Sequence, residues 1–505
     1  QSHADVDKDS IDLIEHRRTT KRGSRRHYLK MVRYIEQADL SDPNQYNYLN
    51  TQMDIDNFMD YQIAQIYFDN RDAGGNIKFW RPQTDGGRWR WILYDTDWGF
   101  GLHNKKAYEN NSLAFHTEPD GPAWPNPAWS TLILRKLLEN PDFEKRFLVK
   151  FTDYLNTSFA PEIVLAKIDE IYNTIESEMP RHLDRWRLSE RRWQEHVGRL
   201  KEFAKERVKH VRFHLSERFE TGNLVSVTVR SNHGGQVILN ENIDIRNNHF
   251  SGLYFENLPI QLTAIPDFGY RFLHWKGVPN GAKEHSIQIA LDGKNLHTIT
   301  AVFEKYEHPL AGQIMINEIS CNNKKTGDWV EIYNNSKSSV NLKDWYFTDK
   351  KRYFNLPNAT IRSKSYLIVC EDTIAFRERF PRVENVVGNF GFGLGKRREK
   401  VGLFDAHGAS IDSVAYDVPP TDSIFTIGLL LPFLDNGNFD NWEINTGKGT
   451  PNRPNPYYLE SSIKAEQEWW MRIGVGIGVF ICGILLLMMR KKRSTKIEFM
   501  SGDFI

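Results

Sequence analysis

One stretch near the end of the chain limits what the whole protein can be. Ile473 to Met489 reads IGVGIGVFICGILLLMM and carries no charged side chain. A run of this length lies near the lower limit for a helix that spans the hydrocarbon core of a bilayer. The alternative interpretation is a buried core helix of a soluble domain.

The residues on either side favour the membrane interpretation. Trp469, Trp470 and Arg472 precede the run, and aromatic and long cationic side chains settle at membrane interfaces. The basic cluster Arg490 to Arg493 follows it, and such clusters stay in the cytoplasm. We therefore predict a single-pass membrane protein, with a transmembrane helix over 473–489, an extracellular or periplasmic N-terminal bulk, and a short cytoplasmic tail over 490–505.

Two further expectations follow from this topology. Gly474 and Gly478 form a small-xxx-small pair that can seat a second helix, which predicts a weak helix-mediated dimer. An exported chain needs a signal segment, and the polar residues after Gln1 do not resemble one. We therefore expect further sequence upstream of Gln1.

Length and charge limit the remaining possibilities. The 505 residues exceed what one hydrophobic core supports, so several domains are expected. The 66 Lys and Arg residues balance 65 Asp and Glu residues, which gives no general field for nucleic acid, and no nucleic-acid partner is expected. Cys482 lies in the apolar run, so only Cys321 and Cys370 could form a soluble disulfide, and the spacings exclude a typical zinc site.

Local patterns divide the chain into regions. Residues 1–220 mix helices with a short strand pair, and residues 224–304 and 312–455 are rich in strands. Apolar residues from Met53 to Tyr67 recur at helical spacing. The runs NIKFWR and RWRWILYD predict a hairpin that leaves Asp95 at a strand end. Gly99 and Gly101 allow the backbone after Asp95 to take positive φ or to approach a ligand closely.

A second helical region extends from Trp129 to Phe219. Asn140 and Pro141 can end one helix and start the next, and Pro161 suits the first turn of another. The run from Arg185 to Arg218 is strongly basic, but its charges alternate with apolar residues at helical spacing. We interpret it as a solvated helix face rather than a nucleic-acid surface.

The candidate chemistry lies within residues 70–101. The segment DNRDAGGNIKFW ends in a predicted strand, and ILYDTDWGFG brings two acids into a turn. Metal-assisted phosphoryl transfer needs carboxylate or amide oxygens that hold magnesium and a carboxylate that orients the attacking hydroxyl. The residues that supply such groups are Asp72, Asn76, Asp95 and Asp97. On pattern alone, a solvated acidic turn is the alternative.

Residues 50–220 resemble the C-terminal lobe of the CotH kinase family. Four segments occur in that family's order: DIDNFMDYQIAQIYFDNRDAGGNIKFW, WRWILYDTDWGFG, PAWSTLILRKLLENPDFEKRFL and DYLNTSFAPE. The resemblance implies that Asp72 is the catalytic aspartate, that Asn76 and Asp95 bind magnesium and nucleotide, and that Asp97 is a second metal carboxylate. It also implies Mg²⁺ and ATP as cofactors.

The sequence departs from a complete kinase in three places. Asp72 and Asn76 are one residue closer together than in the typical protein-kinase loop, and Ala73-Gly74 replaces the usual Trp-Pro. Kinases also need a strand lysine paired with a helix glutamate. We predict no such strand before Met53, so most of the nucleotide-binding lobe is expected to be missing. The glycine-rich segment 391–396 lacks the following helix that a phosphate loop requires.

Two β-rich modules follow. Residues 224–305 resemble the InlB-type B-repeat of bacterial surface proteins in LTAIPDFGYRFLHWKG and HTITAVFE. In that register Tyr270 and Trp275 are expected in the core with Phe272. The resemblance implies a spacer or adhesive unit.

Residues 312–456 resemble the lamin-tail domain, an immunoglobulin-like β-sandwich. The resemblance rests on MINEIS, DWVEIYNNS, VNLKDWYFTD, SYLIV, VGLFDAHGASIDSVAY and GTPNRPN. Its implied core consists of Ile316, Ile319, Trp329, Val330, Ile332, Leu342, Trp345, Leu367 and Val369. Glu318, Glu331 and Asp344 are expected on edges or turns.

The combined prediction is a multidomain α+β protein. It comprises a mostly helical kinase-like C-lobe over residues 1–220, a small β module, a β-sandwich and one transmembrane helix. We predict an exported, membrane-anchored atypical kinase that transfers phosphate from a nucleotide to a surface or envelope protein. The alternative is a non-catalytic surface scaffold or adhesion protein with a degenerate kinase lobe.

Overall fold

The computed structural model describes residues 6, 9–84, 86–102, 104–246, 248–291, 296–323, 325–349, 352–419, 421 and 423–499. The side chains of Asn280, Leu296 and residues 490–499 lie outside that description, and with them the basic cluster predicted to face the cytoplasm. The chain forms two compact units. The first comprises Gln1–Ala264 and His274–Val302, and the second comprises Ile265–Leu273 and Phe303–Ile505.

The first unit begins with a mostly helical region built on a small antiparallel sheet. Its strands are β1 (Ile11–Glu15), β2 (Thr19–Arg22), β3 (Lys78–Pro82) and β4 (Arg90–Ile92), in the order β2-β1-β3-β4. Its helices are α1 (Arg26–Gln37), α2 (Pro43–Gln52), α3 (Ile55–Phe68), α4 (Ser112–His116), α5 (Ala128–Leu137), α6 (Pro141–Asn156), α7 (Pro161–Ile175), α8 (Met179–Trp186) and α9 (Glu190–Arg218).

Two strands, β1 and β2, precede Met53, where the sequence indicated none, and Lys21 lies on β2. Its ion-pair partner Glu15 is on β1 and not on a helix, so this is not the strand lysine paired with a helix glutamate that a kinase needs. The strand pattern is hidden in the sequence because one inward position of β1 is an acid, Asp12, which is only 3% exposed. Asp12 accepts hydrogen bonds from Arg81 Nε at 2.9 Å and Gln83 Nε2 at 2.7 Å. Its burial is therefore compensated by neighbours that a local pattern does not reveal.

Helix α3 is the centre of this region. The apolar periodicity from Met53 to Tyr67 predicted the helix, but the helix is buried on nearly every side rather than on one face. Asp54 caps its N-terminus by accepting from the Asn57 amide at 3.2 Å. Asp69 ends it in a left-handed conformation with φ 53°. This ending directs the chain immediately into the Asp72 turn.

The predicted helix starts in the second half of the region are confirmed. Pro141 is the first residue of α6, and Asn140 caps the helix by accepting from the Phe143 amide at 2.9 Å. Pro161 is the first residue of α7. The basic run forms α8 and α9, and most of its side chains are exposed. One of its arginines, Arg207, is fully buried, which the interpretation as a solvated face did not anticipate.

The predicted β module forms two four-stranded sheets. Its strands are β5 (Leu224–Ser231), β6 (Gly235–Leu239), β7 (Ile243–Arg246), β8 (His249–Phe255), β9 (Ile260–Pro266), β10 (Tyr270–Lys276), β11 (Ser286–Ile289) and β12 (Leu296–Lys305). The sheet orders are β10-β12-β5-β8 and β11-β9-β6-β7. Trp275 is buried, as expected for a core residue, whereas Tyr270 is only half-buried.

One buried aspartate connects this module to the helices of the first unit. Asp153 on α6 accepts hydrogen bonds from Asn240 Nδ2 at 2.9 Å, Asn242 Nδ2 at 2.8 Å and the Tyr254 hydroxyl at 2.9 Å. Burial raises the pKa of Asp153 to about 7 despite these donors. The module is therefore attached to the helices by specific polar contacts.

The second unit contains the predicted β-sandwich. Its elements are β13 (Ile314–Ser320), β14 (Trp329–Asn334), β15 (Val340–Asn341), β16 (Tyr346–Thr348), β17 (Tyr353–Asn355), β18 (Thr360–Ile361), β19 (Tyr366–Cys370), α10 (Thr373–Arg379), β20 (Val386–Gly388), β21 (Arg398–Phe404), β22 (Ser410–Asp417), β23 (Phe425–Leu429) and β24 (Trp442–Thr446). The main sheets have the orders β20-β19-β14-β13-β23-β24 and β17-β16-β21-β22. Every residue of the predicted core is buried. Cys321 and Cys370 are buried free thiols.

Two acids in the sandwich do not lie where they were predicted. Asp344 is exposed in a turn as expected, but Glu318 and Glu331 are both fully buried and face each other across β13 and β14. Thr426 Oγ1 donates to Glu318 at 2.6 Å, and the Asn452 amide donates to Glu331 at 2.5 Å. Segments distant in sequence cover this face and supply the donors, which strand alternation alone could not indicate.

The second unit ends in a long helix, α11 (Pro456–Phe499). Residues Pro456–Met489 are long and apolar enough to cross a membrane, and no part of the most hydrophobic window is buried. Large apolar side chains from Trp469 to Met489 are exposed. Continuous apolar exposure of this extent marks a surface that meets lipid or another protein.

Candidate functional site

Asp72 lies in a tight turn directly after α3. Its side chain is only 4% exposed, and its Oδ2 accepts a hydrogen bond from Asn76 Nδ2 at 2.5 Å. The Asp72 carbonyl accepts from the amides of Gly75 at 2.8 Å and Asn76 at 2.9 Å. The turn therefore folds Asn76 back over Asp72, so the amide and the carboxylate lie together.

The hairpin brings the other two acids to the same place. The chain leaves β4 at Ile92 and reaches Asp95, which has φ 54° and is exposed, as is Asp97. The Phe100 amide then donates to the Phe68 carbonyl at 2.9 Å, at the end of α3. A Cβ on Gly99 would lie 2.8 Å from that carbonyl, so this return requires glycine.

The three carboxylates share one electrostatic environment. Burial, together with the negative charges of Asp95 and Asp97, raises the pKa of Asp72 to about 6. Asp72 Oδ1 is buried and has no hydrogen-bond partner. Burial likewise raises the pKa of Tyr94 to about 12, with contributions from Glu15, Asp95 and Asp72. Negative charge is thus concentrated here around a carboxylate oxygen that nothing satisfies.

This donor set fits a hard divalent cation. Crowded carboxylates with an unpaired oxygen are stabilised by a cation, and Mg²⁺ accepts one or two carboxylates while substrate phosphates and water complete its shell. Among the described residues, no group of three or more His, Cys, Asp and Glu side chains could hold a metal by itself. Asn76, Asp95 and Asp97 are the side chains that would hold it, together with a phosphate ligand.

Two lysines pair with Glu15 on strand β1. Glu15 on β1 forms ion pairs with Lys21 Nζ at 2.5 Å and with Lys78 Nζ at 3.1 Å. Hydrogen bonds from Lys21 and then Lys78 lower the pKa of Glu15 to about 2. Lys78 Nζ also lies 4.2 Å from the centroid of the Tyr94 ring. Sequence analysis predicted no kinase-type lysine strand before Met53, and it missed this group because Lys78 comes from a distant strand.

Arg207 is a second residue that sequence analysis missed. It donates to the carbonyls of Ile66 at 2.8 Å and Tyr67 at 3.0 Å, at the C-terminal end of α3. It also donates to the carbonyls of Tyr108 at 3.0 Å and Asn110 at 2.7 Å. A cation at a helix C-terminus is favourable because the carbonyls there lack helical partners. Arg207 therefore fixes the helix end from which the Asp72 turn starts.

A polar group around Asp69 extends this support. Arg207 donates to Ser112 Oγ at 2.7 Å, and Ser112 Oγ donates to Asp69 at 2.5 Å. Arg71 forms an ion pair with Asp69 at 2.9 Å. The available signal for Arg207 was its position within the apolar stripe of α9, between Phe203 and Val211.

Comparison with known families agrees with this architecture. Residues 2–211 match the family model described as CotH kinase protein. This region is a CotH kinase domain. Residues 308–417 match the model described as Lamin Tail Domain, so the β-sandwich of the second unit is a lamin tail domain. Neither match includes residues 224–305, and the resemblance of that module to the B-repeat stays a prediction.

Comparisons with individual proteins add little. None of the curated proteins searched matches this chain. A solved structure of a DUF4876 family protein from Bacteroides thetaiotaomicron is 13% identical in sequence. The match covers 36% of this chain and 66% of the chain in that structure. The chain thus spans slightly less than two thirds of that protein. Its TM-score of 0.14 supports no argument about the fold.

Proposed function

We propose that this protein is a membrane-anchored, exported atypical kinase that transfers phosphate from a nucleotide to a surface or envelope protein. One observation carries the proposal: the buried Asp72 has an unpaired oxygen beside Asp95 and Asp97 in a CotH kinase domain. A carboxyl with a raised pKa beside further acids is typical of sites that bind metal and move protons.

Asp72 is suited to the role of general base. A carboxyl with a pKa of about 6 is mostly ionised at neutral pH and still accepts a proton readily. In the proposed reaction the acceptor oxygen bonds to the terminal phosphorus of the nucleotide, and the phosphorus bond to the nucleoside diphosphate breaks. The hydroxyl proton passes to Asp72 Oδ1, the oxygen that has no partner.

The remaining groups are suited to hold the nucleotide phosphates. When bound, magnesium would neutralise phosphate charge, and Asn76, Asp95 and Asp97 would hold it. Lys78, which pairs with Glu15, lies against the ring of Tyr94, the residue before Asp95, and supplies positive charge on this side of the site. Arg207 keeps the end of α3, and with it the Asp72 turn, in position.

Membrane attachment is the second part of the proposal. The exposed apolar face of α11 supports insertion into a bilayer. We infer the orientation from the basic residues after Met489, which favours a cytoplasmic tail and an exported kinase domain. Gly474 and Gly478 have open space around them, which leaves room for a second helix and a weak dimer.

The proposed roles of the two aspartates can be separated experimentally. In the full chain, Asp95→Ala is expected to abolish magnesium-dependent ATP binding in calorimetric titrations. Asp72→Asn is expected to leave that binding intact and to remove transfer of labelled phosphate. Asp184→Asn on α8 is the matched control, because Asp184 is an exposed aspartate away from the site.

The same measurements decide between an enzyme and a scaffold. A folded full chain that binds no nucleotide with magnesium would favour the alternative, a non-catalytic surface scaffold or adhesion protein. The two β-rich modules, which lack an evident catalytic group, support that alternative. Transfer that persists in Asp72→Asn would show that another group accepts the proton.

Membrane attachment has its own test. Deletion of residues 469–505 is expected to release the remaining protein into the aqueous phase after cell lysis. The full chain is expected to sediment with membranes and to resist high-salt extraction. Full-length protein that stays in the aqueous phase would rule out the span.

A further inference from the structure

A pocket on the CotH kinase domain combines an arginine rim with an apolar floor. It is formed by the turn between β1 and β2 together with α1 and α5, and has a volume of about 260 Å³. Four arginines line it, namely Arg17, Arg18, Arg25 and Arg33. Tyr28 and Ile133 on its floor are buried, and Trp129 lines the same pocket.

Among the described residues, no acid forms an ion pair with these arginines. All four side chains are exposed. Arg25 donates to the Arg18 carbonyl at 2.8 Å, and Arg17 lies 5.9 Å from the centroid of the Trp129 ring. Glu36 is the acid that lines the pocket. The rim therefore keeps a strong excess of positive charge.

The pocket lies beside the catalytic turn. His16, the residue before Arg17, places its Nδ1 against the carbonyl of Gly75 in the Asp72 turn. The opposite wall, α5, makes contact with the same turn, because Ser130 and Thr131 line a small buried cavity together with Ala73 and Gly74. Both walls of the arginine pocket thus adjoin the segment that carries Asp72.

We propose that this pocket binds an acidic segment of the protein substrate, with a carboxylate or phosphate group on the arginine rim and an adjacent apolar side chain on the floor. This inference rests on the proposed kinase function, because it assigns the substrate class of that site. The acceptor hydroxyl would then lie within a few residues of the bound acidic group.

The chemistry of the rim and floor favours this ligand. Guanidinium groups bind carboxylates and phosphates through paired hydrogen bonds, because each of these anions offers at least two acceptor oxygens. The apolar floor would gain nothing from a free phosphate ion, but it would bury an aliphatic or aromatic side chain of a peptide. A pocket of this size accommodates one or two side chains rather than a folded partner.

The test is peptide binding without nucleotide. Short fluorescent peptides that pair glutamates with leucine are titrated against the full chain in detergent, and anisotropy is measured. The series includes a phosphoserine version, a glutamine version and a lysine version, with inorganic phosphate, ATP and a single-stranded oligonucleotide as competitors. The acidic and phosphorylated peptides are expected to bind, with affinity that falls as salt rises.

Two double variants provide the comparison. Arg17→Glu with Arg33→Glu is expected to weaken acidic-peptide binding by at least about tenfold, because attractive charges become repulsive. The control, Arg185→Glu with Arg192→Glu, reverses two exposed arginines that do not line the pocket and should bind as the original chain does. Thermal unfolding checks that both variants are folded.

The outcomes separate this inference from the kinase proposal. Peptide binding that is lost only in the pocket variant, and kept in Asp72→Asn, supports an acidic-peptide site even if no transfer occurs. Equal binding by both double variants overturns the acidic-peptide site, and so does preference for the lysine peptide or the oligonucleotide. Neither result bears on whether the protein transfers phosphate. Full displacement by low concentrations of inorganic phosphate would assign the rim to free anions and would also overturn the peptide assignment.

Discussion

The CotH kinase domain and the lamin tail domain both bury carboxylates, but in opposite ways. In the lamin tail domain, Glu318 and Glu331 face each other, and each receives hydrogen bonds on both carboxylate oxygens. In the CotH kinase domain, one oxygen of Asp72 receives a bond from Asn76, and the other receives none.

This difference separates a structural acid from a functional one. Burial raises the pKa of Glu331 well above its usual value, with repulsion from Glu318 as a further cause. A buried carboxyl whose two oxygens both accept hydrogen bonds links the strands to the covering C-terminal segment. One oxygen of Asp72 instead has no hydrogen-bond donor and lies near two further acids. This arrangement lowers the free energy of unfolding of the free protein, and a bound ligand would restore it.

The largest effect is expected for the buried cation that supports the site. Arg207→Ala would leave several carbonyls at the end of α3 unsatisfied and create a cavity, at a cost of about 4 kcal/mol. Arg191→Ala on the same helix, whose ion pair with Glu195 is exposed, is the control and should change stability by less than about 0.5 kcal/mol. Denaturant unfolding of the full chain measures both. Equal effects would show that Arg207 does not anchor the site.

The next effect tests the structural acids. Glu331→Ala would leave Asn317 and the Asn452 amide without their acceptor and is expected to cost about 3 kcal/mol in the lamin tail domain. Glu331→Gln keeps the volume and one accepting oxygen but replaces the other oxygen with an NH2 donor, so it should cost less than the Ala variant, about 2 kcal/mol. Hydrogen exchange in β13 and β14 reports the change in this domain alone. A Gln variant as unstable as the Ala variant would show that both oxygens of Glu331 must accept hydrogen bonds.

A smaller effect of opposite sign is expected at the functional acid. Asp72→Asn removes a buried charge that Asp95 and Asp97 repel, so it should stabilise the CotH kinase domain by about 1 to 2 kcal/mol near neutral pH. The variant would lose phosphate transfer at the same time. Thermal unfolding without nucleotide measures the gain. A destabilised variant would show that Asp72 serves the fold in the way Glu331 does.

The smallest effect is the pH dependence of that gain. The folded-state pKa of Asp72, about 6, exceeds the ordinary value of 3.8. The folded protein therefore holds the Asp72 proton more tightly than the unfolded chain does. The stabilisation from this proton is complete below pH 3.8 and is lost as the pH rises through about 6, whereas Asp72→Asn has no such dependence. The two proteins should match near pH 4 and differ near pH 7.5, as measured by unfolding across that range. A constant difference would assign the effect to packing.

Local patterns predicted most of the elements. Apolar spacing predicted α3, the turn residues between two β-prone runs predicted the β3–β4 hairpin, and Asn140 with Pro141 predicted the start of α6. These predictions succeeded because each depends on neighbours within a few positions along the chain. The residues named for the core of the lamin tail domain came from the family resemblance instead, and all of them are buried.

Predictions failed where a charged side chain finds its partner far along the sequence. Asp12 hid strand β1 because its compensating donors, Arg81 and Gln83, lie on the far side of α3 in sequence. Arg207 and Glu331 were interpreted as solvated for the same reason. A sequence pattern assigns polar residues to the surface unless their buried partners are known.

The sequence by itself determined the order of the regions, the apolar α11 and the acids that form the candidate site. It did so because periodicity and composition are properties of short segments. Tertiary structure alone decided which of the charged residues are buried, that Asp72 keeps an unpaired oxygen beside Asp95 and Asp97, and that four arginines line one pocket. Burial and electrostatic coupling depend on distances in space, and residues close in space can lie far apart along the chain.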